Sequence, residues 1–261
     1  MSAIRALGMD VGSTTNKLVA VNAEGEMLWN VLEQTEPRVE EQINRLLEQA
    51  GEALGPLEGI PLIATGYGRG LVHQARRTVT EISCHARGIY REFGHGGTLV
   101  DIGGQDSKVI AISPQGAVLD FVMNDKCAAG TGQFLERTAN RLVVPLEQMG
   151  REALSAAREV PISSTCTVFA ETEIVSLIAH GEAVPSILRG LHRSLTKRLL
   201  AMVRTVGLVT PLMLSGGVAQ NPAILHMLEE ETGEQVILPL HPQLVGAHGA
   251  ALFALEIMET V

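Results

Sequence analysis

DVGSTTNK at residues 10–17 and DIGGQDSK at residues 101–108 are the two stretches on which the fold turns. Each begins with an aspartate that ends an apolar run, IRALGMD in one case and TLVD in the other. A Gly-bearing turn follows, then a second apolar stretch, KLVAV or SKVIAIS. This pattern reads as two strands joined by a tight hairpin. A third strand comes next each time, at 26–33 and over AVLDFVM, so a three-stranded opening occurs twice. Recurrence on this scale points to a duplicated half.

Between the two openings, Pro37 starts a segment with Val39, Ile43, Leu46, Leu47 and Ala50 at helical spacing, which predicts a helix over 37–53. A buried strand is expected at 60–65 and a helix at about 80–93. Beyond 129 the periodicity predicts helices at 130–142, 145–158, 167–180 and 184–206. A strand at 211–215 then leads through GGVAQNP into a helix at 221–232, a short strand at 235–238 and a closing helix from about 246. The cluster Gly94, Gly96 and Gly97 is the expected boundary. It divides the chain into an α/β subdomain over 1–94, joined by the closing helix 246–261, and a second over 95–245.

With 261 residues, 46% hydrophobic and 19% charged, the chain is long and apolar enough for a sizeable core. A formal net charge of −9 gives no support to the basic surface that phosphate-backbone binding needs, so DNA and RNA are not expected partners. Three cysteines do not make a disulfide framework. The opening residues MSAIRALGMDVGS read as neither a signal peptide nor a membrane span, and a cytoplasmic location is expected. No HxxxH or HExxH spacing suggests zinc, and His180 and His192 read as helix-surface or helix-end residues.

In DVGSTTNK the turn offers backbone N–H groups of Gly12 together with Ser13, Thr14 and Thr15 to phosphate oxygens. Asp10 is placed to hold a hydrated divalent cation, and Lys17 adds a point charge. Alone, the segment reads first as an ordinary polar hairpin. The second hairpin changes the balance, because two such turns on two similar halves can face each other as a clamp. Asp101 is then the second candidate for water-mediated Mg2+ binding, Gly103 and Gly104 form the second phosphate turn, and Gln105 or Asp106 is placed to orient an attacking water. Asp106 is also an ordinary turn-forming residue type. LSGGVAQNP at 214–222 ends a strand and opens a helix, and Gly216 and Gly217 there allow close approach of a flat ring or sugar, with Gln220 beside them.

In this order the three motifs resemble those of the acetate and sugar kinase, heat-shock chaperone and actin superfamily: two phosphate loops and an adenosine motif. The resemblance implies an actin-like duplicated ATPase fold, two α/β subdomains around a nucleotide cleft, closing on ATP with Mg2+. It also places Gly132 with the nucleotide-binding set. The chain lacks the inserted sugar-binding region of the superfamily's kinases.

Cys127 lies in NDKCAAGTGQFLE, before a helix expected near Gly130, and Cys166 lies in SSTCTVFAETE, before one expected near Thr167. Helix N-termini favour thiolates, so each is a candidate reactive or metal-bound cysteine; burial as a structural thiol is the alternative for both. A [4Fe-4S] cluster ordinarily takes four thiolates, which two chains with two cysteines each would supply. Lys126 is either a charge beside Cys127 or a solvated surface lysine. Cys84, in EISCHARGIY, reads as a packed helix residue.

NDKCAAGTGQFLE and SSTCTVFAETEIVSLIAHG, lying between the phosphate and adenosine motifs, resemble the activator component of 2-hydroxyacyl-CoA dehydratases, in the BadF/BadG/BcrA/BcrD-type ATPase family. The resemblance runs from Met9 to Ala254. It implies a homodimer with one [4Fe-4S] cluster ligated by Cys127 and Cys166 of both chains. It further implies an electron donor such as ferredoxin or flavodoxin, ATP binding and hydrolysis as the conformational switch, and one-electron transfer to a partner dehydratase or related iron-sulfur reductase. Oxygen sensitivity follows for such a shared cluster. The alternative is a small-molecule kinase of the same superfamily with structural cysteines. The loop TGYGRG at 65–70 resembles a family segment and reads as a turn.

Overall fold

The computed structural model describes residues 3–164 and 166–259. Within these residues the chain forms ten strands and eight helices and divides into two compact units. One unit comprises the residues up to Gly96, Ser113–Val118, and those from Gln243 onward; the other comprises Gly97–Ile112 and Leu119–Pro242.

The first sheet contains β1 (Ala6–Val11), β2 (Thr15–Val21), β3 (Met27–Gln34), β4 (Leu62–Thr65) and β5 (Arg77–Thr78), in the order β3-β2-β1-β4-β5. Every residue of β1 is buried, because helices cover both faces of the sheet. Leu7, Met9 and Val11 pack with Ile43 and Leu46 of α1 (Val39–Leu54) on one face. Ala6 packs with Ala247, Ala250 and Ala251 of α8 (Val245–Glu259) on the other. The edge strand β3 alternates half-buried and exposed residues, as a strand covered on one face should. Helix α2 (Glu81–Phe93) starts at Thr80, whose hydroxyl caps the Ser83 amide, and stops at Gly94 in the left-handed region.

The second sheet contains β6 (Gly97–Ile102), β7 (Ser107–Ile112), β8 (Val118–Asn124), β9 (Leu212–Ser215) and β10 (Val236–Ile237), in the order β10-β9-β6-β7-β8. Read from its other edge this is the arrangement of the first sheet. The equivalence extends to single residues. Asp10 is in register with Lys17 on β2 and Thr65 on β4, and Asp101 with Lys108 on β7 and Ser215 on β9. Around this sheet lie α3 (Gly132–Leu142), α4 (Met149–Ser155), α5 (Thr167–Ala179), α6 (Val184–Val206) and α7 (Pro222–Thr232). Val100, Ile102 and Val109 pack with Phe134, Leu188, Leu191 and Leu195. Burial of the Phe134 side chain alone contributes about 2 kcal/mol.

Several elements differ from the sequence expectation. The helix expected at 145–158 is only α4: Val143 adopts a positive φ that ends α3, and the Gln148 amide closes a turn on the Pro145 carbonyl. Helix α1 begins two residues after Pro37, and the two-residue strand β5 had no sequence signal. Residues 260 and 261 of the expected closing helix, and Thr165 of the second cysteine motif, lie outside the described residues. No described helix is long and apolar enough to cross a membrane.

Candidate functional site: two phosphate turns and two exposed cysteines

The two hairpins that open the sheets close in the same way. The Gly12 amide donates to the Thr15 carbonyl at 3.1 Å, and the Gly103 amide to the Asp106 carbonyl at 2.9 Å. Ser13 and Thr14 form the exposed tip of the first turn, and Gly104 and the exposed Gln105 form that of the second. Thr35 fixes the first turn from below, its amide donating to the Thr14 carbonyl and its hydroxyl to the Gly12 carbonyl. The backbone is thereby held while the Ser13 and Thr14 side chains point to solvent, an arrangement suited to receiving an anion.

Below each tip sits a buried aspartate. Lys17 Nζ lies 3.1 Å from Oδ2 of Asp10. Lys108 Nζ lies 3.3 Å from Oδ2 of Asp101 and 2.6 Å from Oδ2 of Asp106, and the Ser215 hydroxyl donates to Oδ1 of Asp101 at 2.7 Å. Lys108 was not singled out from the sequence, although it occupies the place in DIGGQDSK that Lys17 occupies in DVGSTTNK. Its side chain is 3% exposed, so its charge is stable there only because two carboxylates flank it. Mg2+ keeps most of its waters and typically takes one or two carboxylates plus phosphate oxygens, a demand that single aspartates at the strand ends can meet.

TGYGRG acquires a place it did not have in the sequence reading. Gly68 donates its amide to the Val11 carbonyl at 2.8 Å. Gly66 has φ +92°, and a Cβ there would stand 2.5 Å from Oδ1 of Asp10. The loop is therefore part of the wall around Asp10. In the other unit Gly216, at φ +85°, lies so close to β6 that a Cβ would be 2.3 Å from the Ile102 carbonyl oxygen. Gly217 and Gln220 are exposed on the 3-10 turn that follows, and Asn221 caps α7 by accepting from the Ala223 and Ile224 amides.

His192 is not on a helix surface as expected: it is fully buried. Its Nδ1 meets the Leu188 carbonyl, an acceptor, so Nδ1 carries the proton and Nε2 accepts from Nδ2 of Asn221 at 2.9 Å. Burial pushes the imidazole pKa down to about 4 against the opposing pull of the Leu188 carbonyl, and the ring is neutral at pH 7. His180 is exposed at the end of α5.

Cys127 and Cys166 are both exposed, which excludes their burial as structural thiols. Cys166 is the N-cap residue of α5. Cys127 does not directly precede an α-helix: it leads into a 3-10 turn at Ala128–Gly130, and α3 starts only at Gly132. Its position is set instead by Asn124, which donates to the Cys127 carbonyl at 2.8 Å and accepts from its amide at 3.1 Å. Lys126 is exposed. The N-terminus of α3 is docked on the second phosphate turn, the Gly132 and Gln133 amides donating to the carbonyls of Gly103 (2.9 Å) and Gly104 (2.7 Å).

The segment before Cys166 is held by Glu173 of α5, whose carboxylate accepts from the Ser163 amide and hydroxyl and from the Ser164 amide, each at 2.8 Å. Burial raises the Glu173 pKa, but the bonds from Ser164 and Ser163 outweigh it and bring it to about 2. Arg198 of α6 joins the two cysteine segments, donating to the Ala129 carbonyl at 3.2 Å and the Ser164 carbonyl at 3.1 Å. Neither Glu173 nor Arg198 had a motif by which sequence reasoning could find it. Cys84 is buried in α2, and desolvation pushes its thiol up to about 12, so it is not a ligand candidate.

No group of three or more Cys, His, Asp or Glu able to hold a metal occurs among the described residues. Among the described residues the second unit presents two exposed thiols, Cys127 and Cys166. That donor set fits half of a four-thiolate site.

Known proteins place these features in a family. The profile of the BadF/BadG/BcrA/BcrD ATPase family matches residues 7–254. A 2-hydroxyisocaproyl-CoA dehydratase activator from Clostridioides difficile is 38% identical, over 96% of this chain and 94% of that protein. The structure of the activator of the 2-hydroxyisocaproyl-CoA dehydratase from Clostridium difficile with bound ADPNP superposes with a TM-score of 0.91 at 36% identity, covering 98% of this chain and 96% of the other. The (R)-2-hydroxyglutaryl-CoA dehydratase component A of Acidaminococcus fermentans gives 0.93 at 37% identity, over 99% and 100% of the two chains. Matched almost end to end by these proteins and by the family profile, the chain that carries the paired aspartate hairpins, the glycine turn after β9 and the two cysteine segments belongs to the BadF/BadG/BcrA/BcrD ATPase family.

Proposed function

We propose that this chain is an ATP-dependent activator that delivers one electron to a partner 2-hydroxyacyl-CoA dehydratase or a related iron-sulfur enzyme. In this reading two copies form a homodimer in the cytoplasm, and Cys127 and Cys166 of each hold one [4Fe-4S] cluster between them. Reversible one-electron chemistry is what such a cluster supplies when bound. Ferredoxin or flavodoxin is the donor class, and a cluster shared between chains makes the protein oxygen-sensitive. The observation that carries the reading is the exposure of both cysteines on segments that hydrogen bonds hold in place, within the unit that also carries the second phosphate turn.

The chain's own residues have separable tasks. Gly12, Ser13, Thr14 and Thr15 in one unit, and Gly103 and Gly104 in the other, bind phosphate oxygens of ATP or ADP. Lys17 supplies a charge at the first turn. Asp10 and Asp101 hold water around Mg2+, and the exposed Gln105 orients the hydrolytic water. Gly216 and Gly217 accommodate the nucleoside, with Gln220 beside it. Gly132 transmits the state of the phosphate turn, because its amide is bonded to the Gly103 carbonyl and its helix follows the Cys127 segment. ATP can shift such a conformation only by the difference in its affinity for the two states.

The test is anaerobic purification with iron and sulfide analysis per dimer, alongside C127S and C166S and an ATPase assay. Four irons per dimer in the parent protein, lost in both variants while ATP binding persists, is the expected result. Iron-free parent protein, or unchanged iron in the variants, refutes the ligand assignment. Acceptor-dependent ADP release by iron-free protein would identify a small-molecule kinase instead.

A further inference from the structure

Arg198 sits on α6, remote in sequence from both cysteines, yet its guanidinium reaches both of their loops. One terminal nitrogen donates to the Ala129 carbonyl at 3.2 Å and to the Ser194 hydroxyl at 3.1 Å, and the other to the Ser164 carbonyl at 3.1 Å. Ala129 is two residues after Cys127, and Ser164 two before Cys166. The guanidinium carbon also lies 5.7 Å from the centre of the Phe134 ring, a fully buried side chain of α3, which fixes the plane of the fork. A single rigid group therefore spans two backbone segments that nothing in the local sequence holds together. These three oxygens are neutral, and Cys127 and Cys166 lie within the guanidinium's electrostatic reach.

We propose that Arg198 is a positioning residue of the cysteine site: it sets the spacing of the Cys127 and Cys166 segments and supplies a fixed positive charge that stabilises added negative charge there. The proposal rests on the assignment of these two cysteines as cluster ligands. Its physical content is twofold. Bidentate donation to two carbonyls needs the planar fork, which lysine lacks, whereas the charge needs only a cation. A fixed cation near the site favours the reduced state, and net charge around a cluster is one of the levers on its potential.

Three proteins purified anaerobically as dimers separate the two effects: R198Q, R198K and the parent, with C127S as a control on the ligand assignment. The readouts are iron per dimer, the rate of iron loss to a chelator, and the midpoint potential from an EPR-monitored titration. Removing an outer-shell partner typically costs 10–100-fold in metal affinity, so R198Q is expected to lose iron about tenfold faster. If its charge favours the reduced form about tenfold, its midpoint moves negative by about 59 mV. R198K is expected to restore the midpoint but not the slow iron loss. Parent-like iron loss and midpoint in R198Q overturn the proposal, while iron loss in C127S shows that the ligand assignment still stands. Parent-level iron in C127S, or none in the parent, overturns both. Should R198Q take up no iron, hydrogen exchange of the apoproteins decides. Faster exchange in the peptides carrying Cys127 and Cys166 supports the clamp, and parent-like exchange there overturns it.

Discussion

Nδ2 of Asn221 donates to Nε2 of the buried His192 at 2.9 Å, so the residue that caps α7 after the glycine turn is held by a neutral imidazole. Protonating that imidazole would remove the acceptor and place an unpaired charge in the core.

This sets a pH window. The folded pKa of His192 is depressed to about 4 by burial, against an unperturbed 6.5. Between these values the unfolded chain binds the proton and the folded chain does not, so stability is complete above pH 6.5 and falls as pH drops toward 4. The limiting loss is about 3 kcal/mol. Urea denaturation of the apoprotein at pH 7 and pH 5 should show the midpoint falling, with a markedly smaller fall in H192F. Equal pH sensitivity in that variant would contradict the assignment.

Glu173 titrates in a different window. Its folded pKa of about 2 lies below the model-peptide value of 4.5, so its contribution is present above pH 4.5 and is lost as pH falls toward 2. Because the carboxylate is partly exposed, E173Q should cost only about 1 kcal/mol. Its larger effect should be local: faster hydrogen exchange in the Ser163–Ser164 peptide, with the Cys127 peptide unchanged. Loss of protection in both peptides would mean that the two loops are not held independently on this side.

The two Asp–Lys pairs should respond unequally to loss of the lysine. Lys108 is almost wholly buried between Asp101 and Asp106, whereas Lys17 is 13% exposed and has Asp10. K108M removes the cation shared by two carboxylates and is expected to cost about 3 kcal/mol or more, and K17M distinctly less. D101N, which leaves Lys108 paired with Asp106, should fold nearly normally and yet lose ATP hydrolysis. Thermal denaturation without nucleotide, followed by an ATPase assay of the folded variants, checks both halves.

How far the sequence could be read varied with the kind of interaction. The repeated hairpins were legible because strand alternation, a terminal aspartate and a glycine turn are all local. The helix after Cys127, expected from near Gly130, starts only at Gly132. There Asn124 satisfies the Cys127 backbone and a 3-10 turn intervenes, a competition that composition does not reveal. His192 lies on the apolar face of α6, four residues after Leu188 and three before Leu195, both inaccessible, so its spacing and not its polarity decides that it faces the core. Arg198, Glu173 and the TGYGRG loop act through backbone carbonyls and amides of remote segments, and such partners leave no residue-type signature.

Gly216 offers a test of the nucleotide turn. Its φ of +85° is strained for any L side chain, and a Cβ would collide with the Ile102 carbonyl of β6 at 2.3 Å. G216A should destabilise the protein by about 2 kcal/mol and weaken ATP binding, whereas G233A, with φ +71° but no atom within 4 Å, should cost stability alone. Isothermal titration with ADPNP distinguishes them. Parent-like affinity in a folded G216A would remove this turn from the site.

The link between the phosphate turn and the Cys127 segment can be weakened at the contact itself. A Cβ on Gly132 would stand 3.1 Å from the Gly103 carbonyl oxygen and 3.2 Å from Cγ2 of Val218, close enough to push the start of α3 off the turn while leaving Asp101 and Cys127 chemically intact. The bonds from the Gly132 and Gln133 amides would lengthen, and movement at Gly103 or Gly104 would no longer reach the helix that follows Cys127. In the apoprotein, the rate at which Cys127 is alkylated should depend on ADPNP in the parent and lose most of that dependence in G132A, with ADPNP affinity reduced severalfold at most. Unaltered nucleotide dependence in G132A would mean that coupling bypasses this contact, and the covalent path through β7 and β8 would then be the route to examine.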